Sequence, residues 1–361
     1  MRLRQAVGVF LGRPVGRYQA AVLRIGFGLA WAAYLLREWP ERRVLYGDRS
    51  PWSEELAGRL LAQTHAFTVL PWQHGRLWAE LVYHLAILAA LLLALGWRTR
   101  ASAALFAVTV LSLQNRDVLI GDGGDNLVHL MALYLLTVRC SLVWSLDARR
   151  LRRTGRSGAV WLWAGLGAAL ALLEPGPRAG WWLWVLWAVA GLWWAVDRWW
   201  PTGEPRAVLD ALATMLHNCG MPVIAVQVVL VYATAGWYKV QGSRWQDGTA
   251  LYYPLHLGYF TPWPALSGAV AALLPVVFLL SYGTVLLQVA FPFTLANRRL
   301  KNVLLVVVMA EHLGIAVLLG LPFFSLAMLA ADAVFLPTAW LLGAERRIGQ
   351  WTRSWRAQAV S

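Results

Sequence analysis

Apolar residues in this chain come in long runs separated by short polar, basic or Gly/Pro-rich stretches. The runs predict ten segments, at roughly 18–36, 77–97, 101–120, 123–142, 158–173, 181–197, 207–236, 268–295, 301–320 and 322–342. A helix needs about 20 apolar residues to cross a bilayer. The runs are continuous rather than alternating, which argues against a β-barrel. Helices apolar on every side have no soluble core large enough to hide in. The expected fold class is therefore all-α: a polytopic helical membrane protein with about ten transmembrane segments. One integral membrane domain is expected over 1–361, with its core at about 18–340 and a short basic tail. The stretch "NRDVLIGDGGDN" makes the third and fourth segments candidates for partial re-entry. The fifth and sixth are short and joined by "EPGPRAG", as in a peripheral hairpin.

Composition sharpens this picture. The 361 residues are 59% hydrophobic and 14% charged, against about 25% charged in soluble domains. Mean hydropathy is +0.53. The net charge of +14 is spread over many short loops, which points away from nucleic acid and towards the rule that basic loops stay in the cytoplasm. With the N-terminus inside, the inner loops hold twenty Lys and Arg and the outer ones ten. "DARRLRRTGR" and "NRRLKN" then both fall inside. Both termini are expected to be cytoplasmic in a multi-pass protein of the cell membrane. Residues 37–76, 114–126 and 237–267 are expected to face outward. The first run is long for a signal core and is followed by "REWPERR", so it reads as a membrane helix and not a cleaved leader. Two cysteines, Cys140 and Cys219, imply neither a disulfide framework nor a Cys metal site.

Ionisable residues inside apolar runs are costly and usually face the bundle interior. Arg24, Glu311, His312 and Asp332 are such residues. Arg24 admits snorkelling to the headgroups or a buried ion pair. Glu80 with His84, and Asp125 with His129, sit four apart near outer helix ends, and so share a face. No H-E-x-x-H, G-x-S-x-G, P-loop or dinucleotide fingerprint occurs, and no metal is expected. Lys239, one of two lysines in the chain, follows the seventh run in "VYATAGWYKVQGSRWQDGTALYYPL". Trp237, Tyr238, Trp245, Tyr252 and Tyr253 surround it in sequence, and His256 follows. Two readings stand for Lys239. It is a desolvated general base, or an interfacial anchor in cation–π contact with an aromatic ring.

"YATAGWYKVQGSRWQDGTAL" resembles the signature of the horizontally transferred transmembrane (HTTM) family, with Tyr232, Ala235, Gly236, Lys239, Trp245 and Gly248 in the pattern. "VLRIGFGLAWAAYLL" with "VLYGDRSPWS", "NRDVLIGDGGDNLVHLMALYLLTV" with "SLDA", and "HLGIAVLLGLPFFSLAMLAADAVFLP" resemble its other helices. The likeness covers about 18–340 and is to the membrane domain of vitamin K-dependent gamma-carboxylases and to sporulation-delaying protein B-type proteins. It implies a lysine base, here Lys239, that deprotonates a reduced quinone, either reduced menaquinone or vitamin K hydroquinone. With O2 the quinone becomes its epoxide, and a strong base removes a glutamate γ-proton so that CO2 adds. His129 and His312 fall in matching regions and join Lys239 as candidate catalytic residues. Trp237, Tyr238, Trp245 and Tyr252 are the candidate quinone contacts. The expected partners are the lipid bilayer, a secreted peptide or protein substrate and partner subunits, with the site on the extracytoplasmic side. The alternative expectation is a non-catalytic membrane partner in the maturation or export of a secreted peptide.

Overall fold

The structure, a computed structural model, describes residues 8, 10–117, 119–153, 160–173 and 180–358. The linker at 174–179 and Arg2, Arg4 and Arg156, three of the residues expected on the inner side, lie outside them. Among the described residues every regular element is helical. The longer helices are α1 (Arg17–Arg37), α2 (Glu54–Thr64), α3 (Arg76–Leu95), α4 (Thr99–Gln114), α5 (Gly123–Tyr134), α6 (Leu146–Arg153), α7 (Val160–Leu173) and α8 (Gly180–Trp199). They continue with α9 (Glu204–Gln241), α10 (Pro264–Ala272), α11 (Leu274–Thr294), α12 (Arg298–Leu318), α13 (Pro322–Asp332) and α14 (Thr338–Gln358).

Five of these, α1, α3, α9, α11 and α12, are long and apolar enough to cross a membrane, and a sixth span arises if α13 and α14, bent by 110°, count as one. Ten segments were expected. α4 and α5, with 16 and 12 residues, are too short to cross alone; α7 is bounded at both ends by residues outside those described, and α8 has 20 residues. The outward faces fit a lipid solvent. On α11 the exposed residues Leu279, Leu286 and Phe293 recur every seventh position, an apolar stripe that water would penalise.

The chain divides into two compact units, Met1–Arg17 with Trp31–Gly220, and Tyr18–Ala30 with Met221–Ser361. In the first, α3 and α4 pack together, and small residues are among those they bury: Ala86, Ala89 and Ala90 on α3, Ala103 and Ala107 on α4. Small side chains let helix backbones approach where no hydrophobic effect drives them together. Asp147, from the "SLDA" stretch at the start of α6, accepts the Arg98 and Thr99 amides at 2.9 and 2.7 Å and so caps α4. The expected hairpin forms from α7 and α8. Trp163 and Trp187 stack at 4.3 Å and each donates its indole N–H to the other's carbonyl at 2.9 Å. Each ring lies where a Cβ on Gly191 or Gly167 would stand.

In the second unit α11, α12 and α13 pack in sequence order. Gly26 of α1 meets α13 so closely that a Cβ there would come 2.6 Å from the Ala330 Cβ. Arg24, two residues earlier, is fully buried with an interaction of its own; it does not snorkel.

Candidate functional site

The second unit gathers the polar residues of its apolar helices into one place. α9 runs on through Lys239 to Gln241, whereas the sequence placed Lys239 just past a helix end. Tyr232, Gly236 and Lys239 therefore stand at i, i+4 and i+7, one face of one helix. Gly236 is where α9 meets α11: a Cβ there would lie 3.0 Å from Val289 Cγ2 and 3.1 Å from the Val289 amide nitrogen. That approach brings Gln288 of α11 against Lys239.

The Lys239 ammonium donates to Gln288 Oε1 at 2.8 Å, and Gln288 Nε2 donates to Glu311 Oε1 of α12 at 3.3 Å. Acceptance from the lysine fixes which end of the amide faces it, since Lys has only donors. Among the described residues Lys239 forms no direct ion pair; a neutral amide stands between the cation and the carboxylate. The Lys239 nitrogen also lies 5.1 Å from the Trp245 ring centroid, within cation–π range. Trp245 is held by a tight turn. Its amide donates to the Gly242 carbonyl at 3.0 Å, and Tyr282 Oη donates to the Gln246 carbonyl at 2.8 Å. Gly248 closes the turn at φ +74, with the Phe278 and Tyr282 rings at 2.6 and 2.7 Å from any Cβ placed there. The Thr249 hydroxyl and amide hold the Asp247 carboxyl below the usual carboxylate range.

Two turns back along α9 is a second polar group. Tyr232 Oη donates to Asp332 Oδ1 and Oδ2 at 3.0 and 2.9 Å and lies 3.0 Å from His312 Nε2. Tyr232, His312 and Asp332 are 1%, 2% and 0% exposed, so bulk solvent does not reach them. Rings wall them in: Phe291 lies 4.8 Å from Tyr232 and Phe324 lies 5.7 Å from His312. The groups meet because Glu311 and His312 are adjacent on α12, and because helix side chains lean towards the N-terminus, which carries the lysine back along α9. Two buried atoms here have no protein hydrogen-bond partner among the described residues: Glu311 Oε2 and His312 Nδ1.

The structure brings together Lys239, His312 and Trp245 of the residues predicted from sequence. Trp237 and Tyr238 are 64% and 73% exposed, on the other side of α9. The Tyr252 and His256 rings lie 4.2 Å apart, tilted by 38°, and His256 Nδ1 bonds the Tyr252 carbonyl; neither reaches the lysine through any bond seen here. His129 belongs to the first unit, where Nδ1 pairs with Gln114 Oε1 at 3.0 Å and Gln114 Nε2 donates to the Asp125 carbonyl. Asp125 itself completes a capping box with Asp122 at the start of α5. Glu80 pairs with Arg42 at 2.8 Å and His84 accepts from Trp39 Nε1 at 3.1 Å, so this pair ties the segment after α1 to α3. No group of three His, Cys, Asp or Glu among the described residues is arranged to hold a metal. Gln288 was missed in the sequence; a lone glutamine in "LLQVAF" was its one available signal.

No family model, curated protein or solved structure matches the chain.

Proposed function

We propose that this protein is a membrane enzyme of the vitamin K-dependent gamma-carboxylase type, in which Lys239 takes a proton from a reduced quinone. One observation carries the reading: the Lys239 amine is held between helices by a neutral glutamine and an aromatic ring, with no carboxylate bonded to it. A lysine paired directly to a carboxylate is locked as an ammonium. One bonded to an amide is free to cycle as a base. The orphaned acceptors beside it, Glu311 Oε2 and His312 Nδ1, match hydroxyl donors. A hydroquinone offers two such donors, while an oxidised quinone offers only acceptors. Bound there, the quinone would supply the oxidisable ring, with O2 and CO2 as co-substrates if a glutamate is carboxylated. The protein's part is to exclude water through Phe291, Phe324 and Trp245, to orient the hydroxyls and to accept the proton at Nζ. An apolar bundle also gives a prenylated quinone entry from lipid.

In this reading both termini are cytoplasmic, about ten segments span or enter the membrane, and the site lies towards the extracytoplasmic side, where a secreted peptide or protein and any partner subunits would meet it. The test is the protein reconstituted in lipid with reduced menaquinone under O2 and CO2, assayed for the epoxide. Wild type should form it and Lys239→Ala should not. A folded wild type that forms none, with export of a secreted peptide unaffected by Lys239→Ala, would refute the enzyme and leave the maturation partner.

A further inference from the structure

We infer that Asp332, Tyr232 and His312 form a proton relay, with His312 Nδ1 as its open end and the Asp332 carboxylate as its store. The argument starts from counting protons. A tyrosine hydroxyl has one proton to give and lone pairs to accept with. In one arrangement Tyr232 gives its proton to the Asp332 carboxylate. His312 must then carry its proton on Nε2 and donate it to the tyrosine oxygen, which leaves Nδ1 as a bare lone pair. In the other arrangement Asp332 is a neutral acid that donates to Tyr232. The tyrosine then donates to a bare Nε2, and Nδ1 bears the proton.

Both arrangements satisfy the distances of 2.9–3.0 Å along the chain, with no heavy atom moved. They differ by one proton. When a donor X–H bonded to Nδ1 gives up its proton there, the Nε2 proton passes to Tyr232 and the tyrosine proton passes to Asp332. X–H and a carboxylate become X⁻ and a carboxylic acid, and charge balances. Such a shift suits a buried carboxylate, because neutralising it removes a charge that this apolar surrounding penalises. A serine-protease triad differs, because its aspartate bonds the imidazole directly and stays ionised. Here a hydroxyl that both donates and accepts lies between them.

The orphan at the open end decides the direction of the relay. A finished structural triad has no reason to leave a buried ring nitrogen unbonded, and His312 Nδ1 is such an atom. The other ionisable groups facing the chain are Glu311 on α12 and Lys239 on α9. α11 contributes the non-titrating Gln288, and α1, which meets α13 at Gly26, carries the fully buried Arg24, which has an interaction of its own. The relay builds on the quinone reading only in naming the donor, a second hydroxyl beside the one that Lys239 serves.

The test uses the full-length protein in lipid and no quinone. Nitrogen NMR of 15N-histidine protein and infrared spectra of 13C-aspartate protein are followed across pH. His312→Asn and Asp332→Asn identify the signals. In the wild type a single transition should move the proton from Nε2 to Nδ1 of His312 as the carboxylic-acid band of Asp332 appears, with one shared midpoint. Tyr232→Phe should split it into two transitions about one pH unit or more apart, a tenfold or larger uncoupling. Separate midpoints in the wild type, or a doubly protonated His312 beside an ionised Asp332, would overturn the relay. So would coincident midpoints in Tyr232→Phe. If either assignment variant fails to fold, the wild-type coincidence still decides. A negative epoxide assay would remove the quinone reading and leave this result standing.

Discussion

Gly236→Ala tests whether the site depends on the close contact of α9 with α11. The added methyl would sit 3.0 Å from Val289 Cγ2 and 3.1 and 3.3 Å from backbone atoms of Val289 and Gln288. A side-chain methyl can rotate away; the backbone cannot. The two helices must separate by a few tenths of an ångström, and overpacking of this kind costs about 1–3 kcal/mol. Against it stands the gain of about 1 kcal/mol from replacing a helical glycine with alanine. Gly283 on α11 supplies the control, because a Cβ there meets nothing within 4 Å. Gly283→Ala collects the propensity gain alone. The two variants should therefore differ by about 1–3 kcal/mol, with Gly236→Ala the less stable. In thermal unfolding followed by circular dichroism in lipid this is a gap of about 1–4 °C, at roughly 1.3 °C per kcal/mol for an unfolding entropy of about 2.1 cal/mol/K per residue over 361 residues. The same shift should loosen the 2.8 Å bond from Lys239 to Gln288. Equal midpoints, or a more stable Gly236→Ala, would refute the idea that this contact positions the lysine.

Lys239→Met leaves Gln288 Oε1 without its donor, a loss of about 1–3 kcal/mol, so it should fold and purify while losing epoxide formation. Tyr232→Phe keeps the ring packing on Phe291 but strips the one side-chain donor to the buried Asp332 found among the described residues. Denaturant titration should show it less stable by at least about 1–3 kcal/mol. Gly248→Ala puts a β-carbon at φ +74 against the Phe278 and Tyr282 rings; strain of about 1–2 kcal/mol, plus ring displacement, should appear as a lower unfolding midpoint. Between α1 and α2, the hydrogen bond from Arg43 lowers the Asp48 carboxyl to about 2. A depressed folded value means that this contact stabilises above the ordinary carboxylate value near 3.8 and is lost as pH falls towards 2. Carboxylate NMR of Arg43→Ala should show Asp48 titrating nearer the ordinary value.

The all-helical class was legible in the sequence because apolar runs of bilayer length admit few other structures. The lysine motif was legible as a spacing, and the structure supplies a cause for five of its six members: Tyr232 in the polar chain, Gly236 at the helix contact, Lys239 on Gln288, Trp245 over the ammonium and Gly248 in the turn. Hydropathy counts residues without knowing where a helix breaks. It therefore joined α4 and the residues after it into one segment, and it stopped α9 before Lys239. It also treated all aromatics near the lysine alike, although the α9 face carrying Tyr232 and Lys239 turns Trp237 and Tyr238 away. A single chain shows that Gln288, Glu311, His312 and Asp332 are polar residues in apolar surroundings, which makes each one costly and therefore noticeable. Which of them bond to one another is a matter of helix packing. Tyr232 and Asp332 are separated by 100 positions, and only the folding of α9, α12 and α13 into one unit places them at hydrogen-bond distance.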